Sequence, residues 1–184
     1  MMGTTHAFVG LTMAAGVAIV APEVAVPAAI GGLAGGIFPD LDLFMDHRRT
    51  LHFPIYYWIA AVPAAGVALA APTTLSVGVA LFAISAAIHS ASDVLGGGLE
   101  RRPWVGTPDK GVYLHPTRRW VRPKQWIRYD GAPEDLVLAS LLAVPGLLTY
   151  GGGIRAVVLA SLAISAIYTV TRKRLVEVVP ERFL

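Results

Sequence analysis

Leu75-Ser-Val-Gly-Val-Ala-Leu-Phe-Ala-Ile-Ser-Ala-Ala-Ile-His89-Ser-Ala-Ser-Asp93 is the stretch that decides how the rest of the chain is read. Continued to Leu95, it is an apolar run able to cross about 30 Å of hydrocarbon as a helix rising 1.5 Å per residue. Its ionisable residues come only at the end, where His89 and Asp93 stand four apart and share one helix face. An imidazole and a carboxylate there are costly, which makes the pair a functional candidate by default.

Five more apolar segments surround it: Ala7–Ala21, Val24–Phe38, Phe53–Ala71, Leu136–Tyr150 and Ile154–Val170. Phe53–Ala71 is also long enough to span; the other four are short and need local thinning or partial burial in a bundle. Pro22, Pro72 and Gly151–Gly153 stop helices in tight connections, so helical hairpins are expected. The composition agrees: 55% of residues are hydrophobic and only 15% charged, against about 25% in a soluble domain. The expected fold is an all-α polytopic membrane bundle of six helices, a single domain over residues 1–184. Nothing basic precedes the first apolar run, so it is read as a mature helix rather than a cleaved signal. Without cysteine, disulfides and thiolate metal sites are excluded. A net charge of +3 is too small to argue for nucleic acid.

Gly31, Gly32, Gly35 and Gly36 form two overlapping small-xxx-small pairs in the second segment, a pattern that lets helix backbones approach closely in lipid. The departure from the apolar pattern is residues 96–133, with Arg101, Arg102, Lys110, Arg118, Arg119, Arg122, Lys124 and Arg128 beside Trp104, Trp120 and Trp126. Basic heads and amphipathic rings favour the headgroup zone, so this loop is expected against the membrane surface, with membrane lipids as its partners.

Alternate threading puts His6, Pro39-Asp40-Leu41-Asp42, His47, His52, His89, Asp93 and the basic loop at one face. The opposite hairpins hold only Glu23 and Arg155 among charged residues. Of 15 Lys and Arg, 14 fall on the polar face, which predicts that it and both termini are cytoplasmic, in an inner or plasma membrane. Lipid exclusion explains polar residues at helix ends, but not their gathering at one face. Neutral imidazole with carboxylate is a ligand set for zinc, and carboxylates can bridge two ions. One or two divalent ions, zinc first, are therefore expected. His115 has no partner at motif spacing and reads as a loop residue.

His6, Phe38-Pro39-Asp40-Leu41-Asp42, His47-Arg48 with His52 five beyond His47, and His89-x-x-x-Asp93 resemble the YdjM/LexA-binding family of inner-membrane metal-dependent hydrolases. The order of motifs and apolar segments covers most of the chain, and Arg128-Tyr-Asp-Gly-Ala-Pro-Glu134 resembles the motif opening that family's later helices. The family is grouped with zinc-dependent phospholipases C and single-strand nucleases. The resemblance implies that His6, Asp40 or Asp42, His52, His89 and Asp93 are ligands, Asp93 as the bridge, with His47 and Glu134 as ligands or supporting residues. The chain departs from the family where Leu51 replaces the usual Thr before His52. It departs again where Asp130-x-x-x-Glu134 stands for a His-x-x-x-Glu pair, which speaks against a third ion.

The leading functional reading is a membrane-bound hydrolase of phosphoester bonds, with a phospholipid or nucleotide-like substrate. Asp93 and Asp42 would act with the metal, Arg48 or Arg49 would clamp a phosphoryl oxygen, and Arg119 in the loop would hold a headgroup. For Arg48, plain positive-inside bias is an equal reading. The alternative is a non-catalytic membrane adaptor with a structural metal, binding a protein partner or anionic lipid through the basic loop. A transporter should carry ionisable residues near the midplane on broken helices, and none is present.

Overall fold

The structure is a computed structural model that describes residues 1–178; residues 179–184, which the single-domain expectation includes, lie outside the described residues. Six α-helices and one short β-hairpin make up its regular structure: α1 (Gly3–Val20), α2 (Ala25–Ile37), α3 (Tyr56–Ala70), α4 (Thr74–Ser92), β1 (Val112–Leu114), β2 (Arg119–Val121), α5 (Pro133–Thr149) and α6 (Gly152–Val178). Short 3-10 turns extend α2 at both ends and α4 at its C-terminus. This produces apolar spans of Pro22–Leu43 and Thr74–Leu95. With Gly3–Val20 and Gly152–Val178, four helices are long and apolar enough to cross a membrane.

Helix α2 lies between α1 and α4; α3 packs outside α4, and α5 packs on α1 with α6 beyond it. The four glycines explain the centre of this arrangement. A Cβ on Gly31 or Gly35 would stand 2.1 Å from a backbone oxygen of Gly78 or Phe82 in α4. One on Gly32 or Gly36 would stand 2.4 Å from Gly10 O or 2.5 Å from His6 O in α1. Thus one pair of glycines admits each neighbour, and the contacts are backbone to backbone with no flexible atom to give way. Outer helices show the complementary pattern. Leu69 of α3 is 86% exposed and Val170 of α6 is 80% exposed, surfaces that suit lipid.

Two lengths differ from the sequence expectation. α3 starts only at Tyr56 and has 15 residues, about 22 Å of helix, too short to cross 30 Å alone. Pro54 lacks an N–H, and the Tyr57 hydroxyl donates to Leu51 O at 2.7 Å, so the chain before α3 is bent rather than helical. α6 instead runs to 27 residues, because Arg172 near its end is held by Asp130 at 3.0 Å through both Nε and Nη2. The basic loop also carries structure: β1 and β2 pair antiparallel with Tyr113 opposite Trp120. The irregular segment after the hairpin follows the end of α4, where Lys124 N and Ile127 N donate to Val94 O and Leu95 O at 2.7 and 3.1 Å.

Candidate metal centre

At the end of the bundle where α1 begins and α2 and α4 finish, four histidines and three aspartates meet. His6 comes from the first turn of α1 and His89 from the last turns of α4, and their rings stack with centroids 3.7 Å apart. Asp40 and Asp42 follow α2 on its 3-10 extension, where Pro39 opens the turn. His47 and His52 sit on the return to α3, and Asp93 caps α4.

Asp93 is the hub. Its Oδ1 lies 3.1 Å from His6 Nε2, and its Oδ2 lies 3.3 Å from His52 Nε2 and 3.7 Å from His89 Nε2. Asp40 Oδ1 faces the same two rings at 3.3 Å from His89 Nε2 and 3.6 Å from His52 Nε2. Donors held at about 2.1 Å around a tetrahedral ion stand roughly 3.4 Å from one another, so these separations suit shared ligands. Two groups could each hold an ion: His6, His89 and Asp93, all buried, and Asp40, His47 and His52.

The other edges of the rings are already committed. His89 Nδ1–H donates to Gly36 O at 2.6 Å, and His52 Nδ1 faces Asp42 Oδ2 at 3.0 Å. That leaves His52 Nε2, His89 Nε2 and Asp93 Oδ2 buried without a hydrogen-bond partner among the described residues. Buried polar atoms without partners are rare and costly. A histidine whose Nδ1 is fixed by a carbonyl or carboxylate, with Nε2 facing inward, has the form of a metal ligand. The donor set therefore fits a divalent ion.

Asp42 stands behind the ligands rather than among them: it is fully buried, and its oxygens take His47 Nδ1 at 2.7 Å, His52 Nδ1 and Leu51 N at 3.0 Å. Burial disfavours the His52 imidazolium, but the carboxylates of Asp40, Asp42 and Asp93 outweigh it and lift its pKa to about 10. Arg48 is buried and has a left-handed φ of 58°. Its Nη1 donates to Gly97 O at 2.7 Å and Gly111 O at 3.2 Å, and its Nε faces Asp93 at 3.4 Å. Arg48 thus pins the loop to the centre and faces Asp93, which explains why a strained conformation is kept. These contacts commit Nη1 to the loop, while Nε, 3.4 Å from Asp93 Oδ2, has no hydrogen-bond partner among the described residues. Met1 N lies 3.5 Å from Asp93 Oδ1.

Several sequence candidates lie elsewhere. Glu134 is taken by Arg128 at 2.8 and 2.9 Å, and that guanidinium holds its carboxyl down at about 2. Arg49 is exposed, beside Asp46 and over the Tyr113 ring. Arg119 lies in β2, on the loop surface. His115 Nε2–H donates to Arg49 O at 2.9 Å and packs on Phe53 and Tyr113.

Sequence reasoning missed two supports. Asp135, fully buried, accepts from Met2 N at 2.7 Å, Thr5 Oγ1 at 2.6 Å and Gly131 N at 3.1 Å, tying α5 to the turn that carries His6. Its place in the first turn of a helix was the available signal. Arg172 is clasped by Asp130, which the Tyr168 hydroxyl also approaches, and it lies near the Trp104 ring. No sequence spacing marks that contact.

Comparison with known proteins finds no family model, no curated protein and no solved structure that matches the chain.

Proposed function

We propose that this protein is a membrane-embedded, metal-dependent hydrolase of phosphoester bonds, as its resemblance to the inner-membrane hydrolases suggests. The observation that carries the metal reading is the meeting of His52 Nε2, His89 Nε2 and Asp93 Oδ2, buried and without hydrogen-bond partners. A bound divalent ion, zinc in the first instance, would supply Lewis acidity and lower the pKa of a coordinated water.

The chain's own residues do the rest. His6, His52, His89, Asp40 and Asp93 would hold the ion or ions, while Asp42 and Gly36 O fix the rings of His52 and His89. Arg48 faces Asp93 and closes the loop over the site. In the overall reaction water adds to phosphorus, the ester P–O bond breaks, and the departing alcohol carries away a water proton. Asp40 and His47 are partly exposed and line a cavity, so the centre has an open side where an ester could approach. That opening favours catalysis over a closed structural metal. The polar end would face the cytoplasm, as the distribution of Lys and Arg favours.

The test is metal analysis of protein purified without chelator, followed by assays on phospholipids, nucleotides and aryl phosphates. Stoichiometric metal with hydrolysis is expected, and Asp93→Asn should lose the activity by several orders of magnitude while the helices still fold. Bound metal in an inactive wild type, with unfolding of Asp93→Asn, would favour the adaptor with a structural metal.

A further inference from the structure

Beside the centre lies a cavity of about 480 Å³. Its wall includes Asp40, His47 and Arg48 from the centre, and also Asp130 and Arg172. The lining also holds Ile37 at the end of α2, Leu41 and Leu43 on its 3-10 extension and Ile164 of α6, with Thr4, Glu100 and Ser165 as polar members. The four aliphatic residues are 45 to 64% exposed. Both flanking elements belong to spans long and apolar enough to cross a membrane, Pro22–Leu43 and Gly152–Val178. In a membrane, a gap between two such elements would give onto the bilayer.

Resting on the hydrolase reading, we propose that this cavity takes an anionic phospholipid, which enters from the bilayer between the end of α2 and α6. The phosphate would lie at the metal end and an acyl chain along Ile37, Leu41, Leu43 and Ile164. Arg172 adds a fixed cation to the lining: it is 6% exposed, Asp130 occupies its Nε and Nη2, and its Nη1 has no hydrogen-bond partner among the described residues. The aliphatic walls separate a lipid from a nucleotide. A base would need an open ring face to stack on, whereas Tyr168, the aromatic lining residue, has its hydroxyl committed to Asp130 and its ring beside Arg172.

The experiment uses full-length, metal-loaded protein in phosphatidylcholine nanodiscs containing a trace of phosphatidic acid with a diazirine on one acyl chain. After illumination, labelled peptides are mapped by mass spectrometry. Labelling should concentrate on 37–43 and around Ile164. It should fall at least tenfold with excess unlabelled phosphatidic acid, but not with glycerol phosphate or inorganic phosphate. Ile164→Trp, which fills the mouth from an exposed position, should lower it at least tenfold. Ile167→Trp, exposed on the same helix and outside the cavity lining, should leave it unchanged. Labelling spread over α3 and α6 alike, or equal competition by glycerol phosphate, overturns the proposal. Focused, competable labelling without turnover of any lipid supports the cavity assignment and overturns the hydrolase reading. Turnover of soluble phosphoesters without focused labelling does the reverse.

Discussion

Replacing Gly36 by Ala should empty the metal centre although Gly36 donates no ligand. The added Cβ would stand 2.5 Å from His6 O and 2.6 Å from Ala7 Cα, both backbone atoms. Reaching ordinary contact at 3.4 Å requires α1 and α2 to separate by about 0.9 Å. Gly36 O is also the acceptor that fixes His89 Nδ1 at 2.6 Å. If α2 takes up that shift, the carbonyl moves by about 0.9 Å relative to the His89 ring and the bond loses the geometry that orients it. Loss of such a supporting partner typically costs about 10–100-fold in metal affinity, and overpacking adds about 1–3 kcal/mol of destabilisation. Chelator competition on purified protein reads the first quantity, and thermal unfolding of the chelator-stripped protein reads the second. Gly31→Ala is the informative companion. Its Cβ would stand 2.1 Å from Gly78 O, a tighter clash, but Gly31 holds no histidine. It should therefore destabilise at least as much while weakening metal binding less. Gly66→Ala meets nothing within 4 Å and should be neutral or stabilising by about 1 kcal/mol. Wild-type affinity in Gly36→Ala, or equal loss in Gly31→Ala and Gly36→Ala, would refute the reasoning.

Asp42→Asn should keep the fold and weaken metal binding about 10–100-fold, read by the same competition, because an amide cannot accept from both His47 and His52 through two oxygens. Metal uptake should release protons. The His52 pKa is raised above 6.5 to about 10, so its proton stabilises the metal-free protein fully below pH 6.5 and is lost as pH rises through about 10. Metal must displace that proton, so affinity should increase with pH across this window; calorimetry in buffers of different ionisation enthalpy checks the release, and pH-independent binding would count against it. For topology, Lys110→Cys and Gly151→Cys in the cysteine-free chain should differ in intact cells, with only Gly151→Cys reacting with an impermeant reagent.

The centre was readable in sequence to the extent that topology alone could assemble it. His6, Asp40, His52 and the His89–Asp93 pair belong to different segments, but alternate threading through a bilayer leaves their segment ends at one level. The glycine pattern was equally readable, because only a residue without Cβ permits the backbone approaches at Gly32 and Gly36. What spacing could not show was which oxygen faces what. Asp40 and Asp42 are two apart on one bend, yet Asp40 faces the ring Nε2 atoms while Asp42 secures Nδ1 atoms. Glu134 and Asp135 are adjacent, yet the first turns outward to Arg128 and the second inward to the start of α1. Arg172 was beyond reach because its partner, Asp130, lies on a loop that no periodicity describes.

The acidic side chains of the centre make it one that could hold a cation. Among the described side chains, Asp40, Asp42 and Asp93 face histidines, and one guanidinium, that of Arg48, stands beside Asp93. Moving each carboxylate out of water costs several kcal/mol unless an opposite charge accompanies it. Protonated His52 offsets part of this in the metal-free chain, which is why its pKa rises. One divalent ion with every imidazole neutral brings the side-chain charge to zero and gives the unpartnered nitrogens a partner. A second ion would leave two positive charges over, which an anionic phosphate could balance. On the proposed hydrolase reading, a site closed by aspartates on the protein side would be short of negative charge, once fully loaded, on the side where the cavity meets Asp40 and His47.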